Sequence, residues 1–326
     1  MNGEDEAAAP ADLRAPPATQ HTAIAAQEES PRAAAAPDAG EHAPPVLDAK
    51  AEALLAEARK EQVFSYDTKR FPFREMFRRM FQLQDDAVTL DKVHAMELPD
   101  RAPLSLAFIH AFKVAGRKTP KNWNKALSRK KDRLKKFIAS RAFKDFNDLF
   151  AKFVEEVVVP IIGDETGVVS QNPPTFRVQI PSASPIGNLH KDSDYERHVD
   201  TEINIWVPVT DVFGANTLHT ESEPGKGDFH PLECSYGQLV RFWGNQCRHH
   251  TVANSTDATR VSFDFRVVPC YLYTGAFKGF IGDYPTILAP GPLTPPESIA
   301  AHLGGPASGR PAGNSARSRR RMMRVG

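Results

Sequence analysis

Apolar positions recur every three or four residues in the first half of the chain and every second residue in the second half, with the change near residue 167. The stretches "DAKAEALLAEARKEQVF" and "NWNKALSRKKDRLKKFIASRAFKDFNDLFAKFVEEVVVPII" hold good helix formers and place Leu and Phe at helical spacing. Both are expected to be helical. Beyond them, "TFRVQIP", "TEINIWVPV", "NTLHTESE", "GQLVRFW", "CRHHTVAN" and "TRVSFDFRVV" are short and rich in Val, Ile, Thr, Phe and Trp, with Gly, Pro, Asn or Asp between them. Strands at such spacing, without intervening helices, predict a sandwich or barrel. Helices first and strands second make an α+β domain whose helices buttress a β core. No repeat of fixed period is visible.

The stretch "TRVSFDFRVV" divides cleanly by face. Val261, Phe263, Phe265 and Val267 form one side, and Arg260, Ser262, Asp264 and Arg266 the other. Strict alternation means that one face packs on apolar matter while the other meets a polar space. That space is either water or a barrel interior holding a charged ligand.

The ends read differently from the middle. Residues 1–48 are Ala/Pro-rich, and from 289 the chain runs through "APGPLTPPESIAAHLGGPASGR" to "SARSRRRMMRVG". Neither end has enough branched or aromatic surface to offset its ordering entropy, so 1–48 and 289–326 are expected to be disordered tails. The folded domain is expected over 49–288, helical in 49–165 and β in 166–288. Formal net charge is +1, so no global field points to nucleic acid or membrane. Cys234, Cys247 and Cys270 are odd in number and show no C-x-x-C spacing, which fits a reducing compartment better than a disulfide framework. No apolar run approaches the roughly 18–20 residues that span a bilayer. The start "MNGEDEAAAP" is acidic and has no apolar h-region. A soluble cytoplasmic protein without membrane partners is expected, with the nucleus as the alternative offered by the arginine-rich end.

Chemistry concentrates in "NLHKDSDYERHVDTE", which holds His-x-Asp twice, as His190/Asp192 and His198/Asp200. Two residues along a strand advance about 6.6 Å with both side chains on one face, so either pair could close on one ion. A third ligand would come from another strand, and "CRHHTVAN" offers His249 and His250 on opposite faces. Two histidines and a carboxylate form the facial triad of non-haem Fe(II) oxygenases, although zinc hydrolases use similar donors. Arg260 and Ser262 follow on the next strand, and a guanidinium beside a hydroxyl suits a dicarboxylate held next to the metal.

From about 174 to 268 the chain resembles the Fe(II)/2-oxoglutarate-dependent oxygenases, through H-x-D, a distal His, an Arg eleven residues on and a Ser two further: His190, Asp192, His249, Arg260 and Ser262. The resemblance implies a double-stranded β-helix (jelly-roll, cupin-like) core. It further implies Fe(II) on His190, Asp192 and His249, 2-oxoglutarate on Arg260 and Ser262, and O2 as co-substrate. "INIWVPVTDVFGANTL" resembles the phytanoyl-CoA-hydroxylase branch, with Trp206 and Asn216 at the matching positions; in that branch the Trp lines the cosubstrate site. "EINIWVPVTD", "ESEPGKGDF" and "TRVSFDFRV" are similar to oxygenases of streptomycin-type biosynthesis clusters. The turn "ESEPGKGD" departs from the P-G-S-H of the phytanoyl branch, which argues against a fatty-acyl-CoA substrate. Halogenating relatives replace the motif Asp with a small residue; here Asp192 is present, which favours hydroxylation or a related oxidation of a C–H bond in a small molecule.

The remaining candidates divide as follows. His198 and Asp200 lie only eight residues before Trp206 and read as a solvated loop. His249 gives the family spacing to Arg260, and His250 does not. Cys247 shares the face of His249 and reads as a buried thiol. Arg177, Gln179 and Asn204 either line the pocket or are ordinary polar groups of a sheet. His219 and His230 read as surface or packing residues. The basic run "GRKTPKNWNKALSRKKDRLKKF" reads as a solvated helix face, with docking of an anionic partner or a phosphorylated substrate as the other reading. The tail "RSRRRMMRVG" is the one segment with nucleic-acid-contacting composition. Two rival functions stay open: a cupin-like metal enzyme of isomerase type without 2-oxoglutarate, and a nucleic-acid- or partner-binding scaffold.

Overall fold

The computed structural model describes residues 47–83, 85–275, 279–294 and 299. The Asp48 side chain accepts from the Ala51 N–H at 2.8 Å and so caps helix α1 (Ala49–Ala58). The helical pattern of "AEARKEQVF" ends there, and Gln62–Ser65 forms strand β1 instead. Propensity is overridden because these residues pair antiparallel with a later strand (Gln62↔Arg241 to Ser65↔Gln238). Further α-helices follow among the described residues: α2 (Phe73–Phe81), α3 (Leu106–Val114), α4 (Lys121–Ser128), α5 (Lys130–Ala139), α6 (Arg141–Phe153) and α7 (Val159–Ile162). The basic run lies on α4 and α5. There Lys121, Lys125, Lys131, Lys135 and Lys136 are exposed, while Trp123 and Phe137 are buried.

Strands occupy the second half: β2 (Gly167–Gln171), β3 (Thr175–Gln179), β4 (Ile203–Pro208), β5 (Leu218–Thr220), β6 (His230–Pro231), β7 (Gln238–Phe242), β8 (His249–Thr251), β9 (Arg260–Pro269), β10 (Phe280–Ile281) and β11 (Tyr284–Pro290). The larger sheet runs β1-β7-β4-β9-β2-β11-β10, with β3 also paired to β9, and the smaller runs β6-β5-β8. An isolated bridge, His190↔His249, adds the segment at 190 to the smaller sheet beside β8. From β3 to β9 the chain therefore visits the larger sheet, the smaller, the larger, the smaller twice, the larger, the smaller and the larger. That order is a double-stranded β-helix, as the motif resemblance implied.

Of the expected tails, the described part is small: Asp48 caps α1, and Ala289 and Pro290 finish β11 opposite Val168 and Gly167. The rest of 1–48 and most of 289–326 lie outside the described residues. Among the described residues no helix is long and apolar enough to cross a membrane.

The long strand β9 organises the core. Its apolar face turns outward, away from the smaller sheet, against α2 and α6. Phe263, fully buried, stands within 6.5 Å, centroid to centroid, of Phe73, Phe77, Phe146, Phe150 and Phe153. These rings meet mostly edge to face, the arrangement their quadrupoles favour. Phe263→Ala should lower unfolding stability by about 3–5 kcal/mol, since transfer and cavity terms add in so crowded a site. Chemical denaturation monitored by circular dichroism reads that loss. The polar face of β9 turns the other way, into the space between the sheets.

Candidate metal centre

His190 and His249 are direct cross-strand partners. Each N–H donates to the other's carbonyl, at 3.2 Å and 2.8 Å, so both side chains project from one face. Their ring centroids lie 4.4 Å apart. Fifty-nine residues of sequence are closed by one bridge. Asp192 is brought alongside by its backbone: its N–H donates to the Gly244 carbonyl at 2.9 Å, and the Ser193 N–H to Asn245 at 3.2 Å. Gly244 is needed at that crossing, because a Cβ there would lie 2.7 Å from the Asn204 amide.

The donor atoms converge. His190 Nε2 is 3.7 Å and His249 Nε2 3.8 Å from Asp192 Oδ1, and His190, Asp192 and His249 are the one such metal-competent group found among the described residues. Both rings are oriented from behind: His190 Nδ1 faces the Asn188 carbonyl at 2.8 Å and His249 Nδ1 the Cys247 carbonyl at 3.1 Å. A carbonyl accepts, so Nδ1 carries the proton and Nε2 presents its lone pair. Burial lowers both imidazole pKa values, that of His249 to about 4, which keeps the rings neutral and able to ligate. Donors at about 2.0–2.2 Å from a shared ion stand roughly 3 Å apart at right angles, so less than an ångström of closure is needed. The donor set fits a divalent ion such as iron.

Asp192 is not alone in its pocket. Arg266 grips it with two hydrogen bonds, Nε to Oδ2 and Nη2 to Oδ1, both 2.9 Å. Asn204 Nδ2 also donates to Oδ2, at 2.7 Å. Burial would raise the Asp192 pKa, but the Arg266 charge outweighs it and holds the carboxyl well below the usual range. Arg266 is itself held by Asp264 at 3.2 Å, and Asp264 by Arg177 at 2.8 Å. Charges thus alternate from the half-exposed Arg177 inward to Asp192.

Arg260 and Trp206 wall the same cavity of about 50 Å³, together with His190, His249, Asn204 and Phe242. The Arg260 guanidinium stands 5.9 Å from the Trp206 ring centroid. It is 2% exposed, and its Nε and Nη1 have no partner. Burial, with Arg177 nearby, pushes its pKa down to about 9. Ser262 is fully buried on the same strand face and its Oγ is also unpartnered, although it does not form part of the cavity wall. Gln179 lies opposite Arg260 across β3 and β9 and donates to the Val252 carbonyl at 2.7 Å, so it belongs to the sheet behind the cavity. Arg177 and Asn204 do line it.

The second His-x-Asp is elsewhere. Asp200 pairs with Arg59 at 2.6 Å on the surface. His198 is not solvated, contrary to its reading as an exposed loop: its Nδ1 meets the fully buried Glu202 carboxylate at 2.7 Å. Its partner two residues on faces water, so the pair shares no site. His250 stacks on His219 at 5.6 Å, and His230 meets Glu61 at 2.9 Å. Cys247 is buried, as expected.

No protein-family model matches the chain. Over 130 residues it is 36% identical to "Streptomycin biosynthesis protein StrG" of Streptomyces griseus. The chain is similar to StrG. The match covers 40% of this chain and 61% of StrG, so it spans about three fifths of that protein. Among solved structures, the nickel complex of the non-heme monooxygenase ThoJ is 14% identical with a TM-score of 0.37, covering 77% of this chain and 92% of ThoJ. The non-heme alpha ketoglutarate dependent carbocyclase SnoK of nogalamycin biosynthesis is 11% identical with a TM-score of 0.35, covering 74% and 97%. At such scores the fold assignment rests on the strand order alone.

Sequence reasoning placed Asp264 and Arg266 on the polar face of β9 without giving them a task. The signal was present in their phase, which is that of Arg260 and Ser262. What the sequence lacked was the partner, since Asp192 lies 74 residues away from Arg266.

Proposed function

We propose that the protein is an Fe(II)/2-oxoglutarate-dependent oxygenase that hydroxylates, or otherwise oxidises, a C–H bond of a small molecule. The observation that carries this reading is Arg260. A buried guanidinium whose Nε and Nη1 lack a hydrogen-bond partner is costly, and this one lines the cavity that His190 and His249 also line, with the Asp192 carboxylate beside those two rings. A metal hydrolase or isomerase with the same donors has no need of it. A cosubstrate carboxylate would satisfy it, with Ser262 close behind on the same strand face.

His190, His249 and Asp192 would hold the iron. When bound, iron and 2-oxoglutarate supply the oxidising chemistry through activation of O2, with release of succinate and carbon dioxide. The chain's own tasks are positioning and exclusion of water. Arg260 would anchor the far carboxylate by charge-assisted hydrogen bonds, and Trp206 would close that end of the cavity with an apolar ring. The backbone carbonyls of Asn188 and Cys247 hold the Nδ1 protons of the two histidines in place. The similarity to StrG, a streptomycin biosynthesis protein, supports a small-molecule substrate.

The test is cosubstrate turnover without a substrate. Protein loaded anaerobically with Fe(II) and 2-oxoglutarate, then exposed to O2, should form succinate slowly and only when iron is present. Tight metal binding with no succinate would sink the oxygenase reading and favour the isomerase type.

A further inference from the structure

We infer that Arg266 is a positioning residue for the metal: by gripping both oxygens of Asp192, with Asn204 also on Oδ2, it leaves one lone pair, on Oδ1, to face the two histidines. This rests on the metal-site reading above and is independent of the substrate.

A carboxylate has about four lone-pair sites. Oδ2 uses two, on Arg266 Nε at 2.9 Å and Asn204 Nδ2 at 2.7 Å. Oδ1 uses one, on Arg266 Nη2 at 2.9 Å. The oxygen with spare capacity is the one that stands 3.7 and 3.8 Å from His190 Nε2 and His249 Nε2. A planar fork on both oxygens also resists rotation of the carboxylate plane. The fork cannot easily swing away: its third nitrogen is held by Asp264 at 3.2 Å, its backbone N–H by Gln171 Oε1 at 3.3 Å, and Asp264 in turn by Arg177. Asp192 is thus set to bind an ion through a single oxygen.

An opposing effect exists. A cation beside the site repels the metal, and its removal would strengthen the attraction of the free carboxylate. The two effects have opposite signs and separate by substitution. Arg266→Lys keeps the charge and loses the fork; Arg266→Met loses both while keeping most of the volume.

The experiment uses the full chain, without cosubstrate or turnover. Wild type, Arg266→Lys and Arg266→Met are titrated with cobalt(II), followed by its visible absorption, and with iron(II) under anaerobic conditions. Positioning predicts that affinity falls about 10- to 100-fold in Arg266→Met, the scale typical of outer-shell partners, and less in Arg266→Lys. The cobalt spectrum should change in Arg266→Met as the carboxylate turns. Binding as tight as wild type or tighter in Arg266→Met, with an unaltered spectrum, overturns the inference while sparing the metal site. If Arg266→Met does not fold, Arg266→Lys decides: wild-type affinity and spectrum there overturn the inference too. Failure of the wild type to bind either metal overturns the inference and the metal-site reading together.

Discussion

Asp192→Ala and His249→Ala are each expected to abolish iron-dependent decarboxylation of 2-oxoglutarate. Removing either takes one of three donors from the ion, a larger loss than the roughly 10- to 100-fold cost of losing an outer-shell partner. Asp192→Ala also strips the buried Arg266 of two of its hydrogen bonds to a carboxylate, leaving Asp264 as its charged partner, so part of its effect will be on stability. His249→Ala is cleaner, because the bridge to His190 is made by backbone atoms and survives. Asp200→Ala is the matched control. That side chain is 63% exposed and pairs only at the surface, and exposed pairs contribute about 0–1 kcal/mol. It should keep nearly full turnover. His198→Ala would be a poor control, since its buried contact with Glu202 would be lost. Succinate formation, measured on variants that retain the wild-type circular dichroism spectrum, checks the set. Turnover lost in Asp200→Ala and kept in Asp192→Ala would move the site to the second motif.

Arg260 should give an effect of a different kind. Arg260→Ala is expected to raise the apparent KM for 2-oxoglutarate by about 10- to 100-fold, since hydrogen bonds to a charged group contribute roughly 1.5–3 kcal/mol. Iron affinity should change little, because no ligand is touched. Arg260→Lys should restore only part of the loss, as an ammonium has no planar fork. Stability should move the opposite way. The Nε and Nη1 atoms of Arg260 have no hydrogen-bond partner, so Arg260→Met replaces a buried cation with unsatisfied N–H groups by an apolar chain of similar length. Its melting temperature without ligands is expected to be higher than that of the parent. A residue whose loss stabilises the fold while weakening the cosubstrate is held for function. If the KM stays unchanged, the cosubstrate lies elsewhere.

Much of this was legible in the sequence, and the reasons differ by feature. Helices α1 and α4 to α7 and strands β3, β4, β5, β7, β8 and β9 lie in stretches that period and composition marked, whereas α2, α3 and the two-residue β6 were not singled out. Strand β1 was hidden: "QVFS" follows a run of helix formers, and its partner β7 lies far down the chain. The choice of His249 over His250 followed from its eleven-residue spacing to Arg260, strand phase saying only that the two face opposite ways, and the structure puts His249 beside His190. The burial of His198 was not legible, since a histidine in a polar loop gives no sign of a buried carboxylate four residues on. The grip of Arg266 on Asp192 was illegible for the same reason. Side-chain pairing across the interior depends on tertiary placement, and local pattern specifies only the face.

The two-residue phase of β9 carries a consequence for how this protein can change. Arg260 serves one end of the cavity and Arg266 the other, and the residues between them alternate with Val261, Phe263 and Phe265 in the aromatic core. Inserting or deleting one residue between 260 and 266 would rotate one arginine into the phenylalanines and one phenylalanine into the cavity. Length variation there would damage metal handling, cosubstrate handling and folding at a stroke. The loop from Ser222 to Asp228 is exposed along its whole length, tied to the interior chiefly where Glu221 accepts from the Gly225 and Gly227 N–H groups. A library that varies length should therefore tolerate changes in that exposed loop and reject them in β9.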